Sequence, residues 1–219
     1  MIKVLSVTSE CVPLVKTGGL ADVAGALPGA LAPLGVQMRT LLPGYPQVLA
    51  QIDAKPLKTL GQNQRLLATN HQGLDLVILD APDLFDRPGT LYLNEEGHDW
   101  PDNAERFAAL SAAAAQIAAG VLADFVPDVV HCHDWQAGLA PYYIRKAALD
   151  TKTVMTVHNV AFQGITPADA MKRLDLDAKD FTADGFEYFG NVSTLKAGLV
   201  YADKITTVSP TYANELMTP

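Results

Sequence analysis

Six short apolar runs, most of them rich in β-branched residues, recur along this chain with helix-like stretches between them. They are IKVLSVT (2–8), VQMRTLLP (36–43), LDLVILDAP (74–82), DVVHCHD (128–134), TVMTVHN (153–159) and KITTVSP (204–210). Runs of this length read as strands buried on both faces, and their alternation with helices predicts an α/β fold built on a parallel sheet. A chain of 219 residues is long enough for one such domain with a real core, and two full domains would be cramped.

Leu20, Val23, Leu27, Leu31 and Leu34 follow the Gly18–Gly19 pair at helical spacing and predict a helix with one buried stripe. Pro28 falls inside it. Its ring would remove the bond to the Ala24 carbonyl, so a kink or a second helical start is expected there. A longer helix is predicted within PDNAERFAALSAAAAQIAAGVL (101–122), with Asp102 as cap, Glu105 three residues on, and Phe107, Leu110, Ala114, Ile117 and Val121 as its apolar face. Thr166, Pro167 and Asp169 form another helix-start signature, and Ser209 with Pro210 begins a last helix. The polar segment 50–73 is left unassigned, and neither repeats nor a linker break the chain.

Hydrophobic residues make up 49% of the chain and charged ones 18%, a balance that excludes a disordered chain. The formal charge of −8 excludes nucleic acid and anionic membrane as general partners, because both need a basic footprint. MIKVLSVTSE turns polar too soon for a secretory leader, and no apolar run approaches the ~20 residues of a membrane span. A soluble, cytoplasmic protein is expected, with its two cysteines, Cys11 and Cys132, as free thiols.

Ligands of open parallel sheets bind beyond the carboxyl ends of the strands, where loops and helix N-termini converge. Here those ends run into Thr8, Ser9 and Glu10, into His133 and Asp134, and into His158 and Asn159. The loop KTGG (16–19) leads into a helix, so its amides and Lys16 could face an anion; a plain helix-entry turn with a snorkelling lysine fits the residues equally well. Neither the dinucleotide fingerprint nor the P-loop spacing is present. His131 and His133 alternate onto one strand face, but a zinc site would need a third ligand within reach, and no metal is expected. One of these histidines is expected in the core, Asp134 as a helix cap, and Trp135 either packed or offered as a sugar platform. His158 on its strand alone fits a buried, hydrogen-bonded imidazole.

Four motifs stand in one order: SECVPLVKTGGLADVAGALP, PDVVHCHDWQAGLAPYY, TVHNVAFQG and STLKAGLVYADKITTVSPTYANE. Together with LFDRPGTLY and DNAERFAAL they resemble the bacterial glycogen synthase and plant starch synthase family of ADP-glucose glucosyltransferases. The resemblance covers essentially the whole chain. It implies a GT-B fold of two Rossmann-like halves, of which residues 1–219 are the N-terminal one, with a C-terminal nucleotide-binding domain absent from this chain. It also implies retaining transfer of glucose from ADP-glucose to the non-reducing end of an α-1,4-glucan (glycogen or maltooligosaccharides), without a cofactor. This half would carry the acceptor side and be inactive alone.

By that resemblance Lys16 meets the donor phosphates, with Gly18 and Gly19 contributing amides. His158 stands beside the reacting sugar carbon and Asp134 lines the same pocket; Tyr92 and Asn159 are further sugar contacts, and Glu10 and Asp22 support them. Gln136 departs from the histidine that many relatives carry in this motif. A front-face retaining transfer, in which the leaving diphosphate accepts the acceptor's proton, needs no pair of carboxylates at glycosidase spacing. Alternatives are a glucan-binding module without turnover, a GT-B transferase using another sugar nucleotide, and a nucleotide-binding regulator.

Overall fold

The computed structural model describes residues 1–218. In chain order the elements are β1 (Ile2–Val7), α1 (Gly19–Leu31), β2 (Val36–Pro43), the short turn α2 (Pro46–Leu49), β3 (Lys55–Gly61), β4 (Gln64–His71), β5 (Leu74–Asp80), the short turn α3 (Pro82–Phe85) and α4 (Asn103–Ala118). There follow β6 (Val129–His133), α5 (Leu139–Lys146), β7 (Lys152–Val157), β8 (Ile165–Pro167), β9 (Glu187–Tyr188), β10 (Asn191–Ser193), α6 (Thr194–Tyr201), β11 (Lys204–Thr207) and α7 (Pro210–Leu216).

All six apolar runs form strands, and these six pair in parallel in the order β11-β7-β6-β1-β2-β5. The central strands are the most apolar because both faces are covered: Leu5, Val7, Leu41, Leu42, Val130 and Cys132 are fully buried. The chain leaves β1 for β2 on one side and returns to β6 on the other, so the topological switch point lies between β1 and β6. Parallel pairing aligns Ser6 with His131 and Val7 with Cys132, which brings the polar ends of both strands to the same edge of the sheet.

The sheet is mixed, not purely parallel. Segment 50–73, unassigned from sequence, supplies the antiparallel pair β3 and β4 beyond β5. β3 is largely exposed along its length, so it lacks the apolar signature of a buried strand. The turn signals were local: Asn63 between β3 and β4, and Gln72–Gly73 between β4 and β5, take positive φ, as tight hairpins require. A second, three-stranded sheet in the order β8-β10-β9 was also not anticipated. Thr166 and Pro167 lie in its strand β8, and Asp169 sits in the 3₁₀ turn Ala168–Lys172 that follows.

Helix α1 continues through Pro28 without a new start; a separate 3₁₀ turn, Ala32–Leu34, follows it. Pro28 lies in the last turn, so the backbone bond it forgoes, to the Ala24 carbonyl, is near the helix end. The buried face is Leu20, Ala21 and Ala24, while Leu34 is 75% exposed, so the expected leucine stripe is corrected. In α4, Phe107, Leu110, Ala114 and Ile117 are buried as expected, and Val121 lies past the helix end. Asp102 does not cap it. Both carboxylate oxygens are held by Arg87 at 2.6 Å, and Glu105 turns to Arg173. Ser209 does cap α7, accepting from the Tyr212 amide. Both cysteines are buried free thiols.

The layers meet closely where α5 and α6 cross. A Cβ on Gly138 would strike the Thr194 carbonyl, a backbone atom that no rotamer change can move. Gly138→Ala is therefore expected to destabilise the chain by about 1–3 kcal/mol through overpacking. A urea unfolding midpoint equal to that of the parent would contradict the close approach.

Candidate active site

The ends of β1, β6 and β7 place Glu10, Asp134 and His158 at one rim of the sheet, beside the switch point. Glu10 is 4% exposed, and a carboxylate so buried requires donors. It has four: the amides of Thr17 and Gly18, the Thr17 hydroxyl at 2.7 Å and the Tyr92 hydroxyl at 2.9 Å. The Ser9 hydroxyl lies 2.8 Å from that of Tyr92 and supplies its remaining bond. Burial, followed by the charge of Glu10, pushes the Tyr92 phenol well above its usual range.

Lys16 points away from this buried carboxylate and pairs with Asp22 in the first turn of α1, at 2.7–2.8 Å. Both side chains are about half exposed, 51% and 54%, and an exposed pair of this kind holds by only ~0–1 kcal/mol. Gly18 has extended backbone (φ −148°), and a Cβ on either Gly18 or Gly19 would meet no atom within 4 Å. Neither backbone strain nor packing within the described residues demands glycine at these two positions.

Asp134 has φ +53° and ψ −170°, a region nearly reserved for glycine that costs of order 1–3 kcal/mol. Its amide donates to the Thr156 carbonyl at 3.0 Å, and its Oδ1 accepts from the amides of His158 at 2.7 Å and Asn159 at 3.4 Å. The side chain thus joins the ends of β6 and β7 and does not cap the following turn, as sequence had suggested. Burial pushes its carboxyl up from 3.8 to about 6 against the pull of those two amides. Its Oδ2 has no hydrogen bond within the described residues.

Three imidazoles stack beneath. The ring centroids of His131 and His133 are 4.3 Å apart, those of His133 and His158 5.2 Å. His133 is fully buried and bonds Ser6 and His158; His131 bonds Thr156. Burial holds His131 and His158 down at about 4, and burial with its two neighbouring imidazoles holds His133 well below the usual histidine range. Among the described residues no cluster of three or more metal-ligating side chains is found.

Beside this rim opens a cleft of about 830 Å³ whose walls include Tyr92, Trp100, Trp135, Gln136 and Phe162. Trp135 packs edge-on against Phe107 at 5.1 Å and lies 6.3 Å from Tyr92, so it both packs and lines the cleft. Trp100 is stacked by Arg87 at 4.9 Å, and Phe162 is 62% exposed. Asn103 donates to the Tyr92 carbonyl. Thr17, Trp100, Asn103 and Phe162 were missed from sequence. The proximity of Trp100 to DNAERF was the one local signal; the others depend on tertiary contact. Tyr92 and Gln136 line the cleft, while Asn159 lies at the rim through its amide contact with Asp134.

The Asp134 shift has a definite sign. A carboxyl raised in the folded state contributes stability below pH ~3.8 that is lost as pH rises through about 6. His131 and His158 act in the opposite sense, losing stability as pH falls from ~6.5 through about 4. Comparing Asp134→Asn with the parent leaves the imidazoles common to both. The variant is expected to gain on the order of 2–3 kcal/mol relative to the parent between pH 4 and pH 7. A difference in unfolding free energy that stays constant over that range would contradict the raised carboxyl.

Residues 3–219 match the family model described as the starch synthase catalytic domain. The chain is 58% identical to a glycogen synthase of Paracoccus denitrificans and 58% identical to one of Jannaschia sp., in each case over 100% of its own length and 48% and 47% of theirs. It thus spans about half the length of the curated relatives it matches. Among solved structures it is similar to the catalytic domain of starch synthase IV from Arabidopsis thaliana bound to ADP and acarbose, with TM-score 0.82 and 26% identity, covering 99% of this chain and 47% of that one. Its mixed sheet flanked by helices is that of the GT-B glycosyltransferases, and the chain belongs to the starch synthase catalytic domain family.

Proposed function

We propose that this chain is the acceptor-side half of a two-domain GT-B enzyme that transfers glucose, with retention, from ADP-glucose to the non-reducing end of an α-1,4-glucan. The observation that carries the reading is the convergence, at the switch point, of a glycine pair facing open space with a cleft walled by aromatic rings. Phosphate is met by amides, a helix N-terminus and a lysine; sugars are met by aromatic faces and carboxylates. Both surfaces adjoin here. The neighbouring starch synthase IV structure, bound to ADP and acarbose, supports the same pairing of ligands.

In this reading Lys16 leaves its weak pair with Asp22 and turns to the donor diphosphate. The Gly18 amide is committed to Glu10, so the Gly19 amide and the first turn of α1 supply the remaining donors. Both glycines keep side-chain atoms out of the approach. Asp134 offers its Oδ2 to the sugar, with Asn159 beside it, and Tyr92 contributes its ring because its hydroxyl is occupied by Glu10 and Ser9. Glu10 and Asp22 support the loop. Charge develops on the leaving diphosphate and on the sugar carbon in the transition state, so prepositioned donors and carboxylates act there without reorganising. The departing diphosphate takes the acceptor hydroxyl's proton.

Because the chain spans about half the length of its relatives, the 219 residues by themselves are read as binding glucan without turnover. Both tryptophans of the protein line the cleft, so titrating maltoheptaose into the chain should change its intrinsic fluorescence. In the full-length enzyme Lys16→Ala should lower kcat/KM for ADP-glucose by roughly 10- to 100-fold, the worth of a charged hydrogen bond. His158→Ala should lower kcat more than it raises KM. The deciding experiment is transfer of labelled glucose from ADP-glucose to glycogen by the chain and by the full-length protein in parallel. Activity in the chain alone would overturn the division of the site between two halves, and inactivity of the full-length protein would overturn the transferase.

A further inference from the structure

His158 does not stand alone at the end of β7. Its Nε2 lies 2.9 Å from Nδ1 of His133, and Nε2 of His133 lies 3.2 Å from the Ser6 hydroxyl. Ser6 and His133 are both fully buried. Desolvation and two neighbouring imidazoles keep His133 neutral, and His158 is neutral at pH 7 as well. Each ring therefore carries one N–H donor and one bare acceptor nitrogen.

Only two arrangements satisfy both contacts. In the first, the Ser6 hydroxyl donates to His133 Nε2, His133 Nδ1–H donates to His158 Nε2, and the His158 proton sits on Nδ1. In the second every bond is reversed: His158 Nε2–H donates to His133, and His133 Nε2–H donates to Ser6. The two differ at the far end of the chain of bonds. The Ser6 oxygen has no other hydrogen-bond partner among the described residues, so in the second arrangement a fully buried hydroxyl proton is left without an acceptor. Leaving a buried donor unmade is the costly case, whereas the first arrangement uses every proton.

We propose that Ser6 and His133 are positioning residues that hold His158 with its single ring proton on Nδ1. The Nδ1 atom has no partner among the described residues, and the ring is only partly buried, so this N–H is left to meet a ligand. His158 then meets a ligand as a hydrogen-bond donor and cannot take up a proton at Nε2, which His133 occupies. Resting on the reading under Proposed function, this makes His158 a clamp on a sugar oxygen and leaves the acceptor's proton to the diphosphate.

Long-range ¹H–¹⁵N spectra of the ¹⁵N-histidine-labelled 219-residue chain at pH 7.5 test this, with the five imidazoles assigned by single substitutions. His158 and His133 should both show a protonated Nδ1 and a bare Nε2. His133→Phe removes the ring that occupies Nε2 of His158 and should move His158 to a mixture of tautomers, whereas Ser6→Thr, which keeps the hydroxyl that donates to His133, should retain the Nδ1 form. A proton on Nε2 of His158 in the unsubstituted chain would overturn the proposal, as would an unchanged His158 pattern in a folded His133→Phe variant. The unsubstituted spectrum decides the matter if either variant fails to fold. No donor or acceptor is present in the sample, so the tautomer and the transferase reading stand or fall separately.

Discussion

A carboxylate buried like that of Glu10 survives only if nearly every lone pair finds a donor, and this requirement shapes the rim of the sheet. The loop after β1 must fold back so that the amides of Thr17 and Gly18 and the Thr17 hydroxyl reach it. Tyr92, more than eighty residues later, must bring its hydroxyl to Oε1, the oxygen that the Thr17 hydroxyl also reaches. Glu10 thereby ties the glycine loop to the aromatic wall of the cleft. Replacing it with an apolar residue would orphan two buried amides and a phenol at once, a far larger loss than the single exposed pair between Lys16 and Asp22.

The wall itself depends on a second buried charge. Arg106 is 1% exposed and has no carboxylate partner among the described residues; its guanidinium donates to the carbonyls of Leu84 and Leu91 and to the Asn103 side chain. The rings of Phe85 and Phe107 flank it at 5.4 Å. Burial lowers its pKa, yet the carbonyl dipoles and ring faces compensate enough to keep it inside. Its effect is topological. The irregular segment 84–91 is pinned to α4, Asn103 is held so that it can donate to the Tyr92 carbonyl, and the Tyr92 ring is fixed at the mouth of the cleft. Glu10 and Arg106 thus grip Tyr92 from opposite ends.

What was legible in the sequence divides along the same line between local and distant causes. The six parallel strands could be found because doubly buried strands are written as continuous Val, Ile and Leu, and the Ser209 cap because capping acts within three residues. β3 was lost because an exposed edge strand carries no such run. Asp102 looked like a cap until Arg87, fifteen residues back, claimed both of its oxygens. The polar ends of β1, β6 and β7 pointed to the right rim, since strand direction alone places them. The commitment of the Gly18 amide to Glu10 and the use of the Tyr92 hydroxyl inside the chain depend on loop conformations that no spacing rule encodes.

Asp134 shows why the rim is better understood by ligand than by stability. Glycine would adopt its φ and ψ freely, and an amide side chain could accept the same two hydrogen bonds without ionising. Aspartate at this position bears both the backbone strain and the cost of a charge in a poorly solvated place. Neither cost is returned within the described residues, because Oδ2 has no partner there. The strain is nonetheless what aims the side chain: the unusual turn directs Oδ1 back to the amides of His158 and Asn159 and leaves the second oxygen facing the rim. A structural role would be filled more cheaply by asparagine or glycine, so the carboxylate makes physical sense only when something electropositive approaches it. In the proposed transfer, a sugar carbon gaining positive charge as its bond to diphosphate breaks would be such a partner.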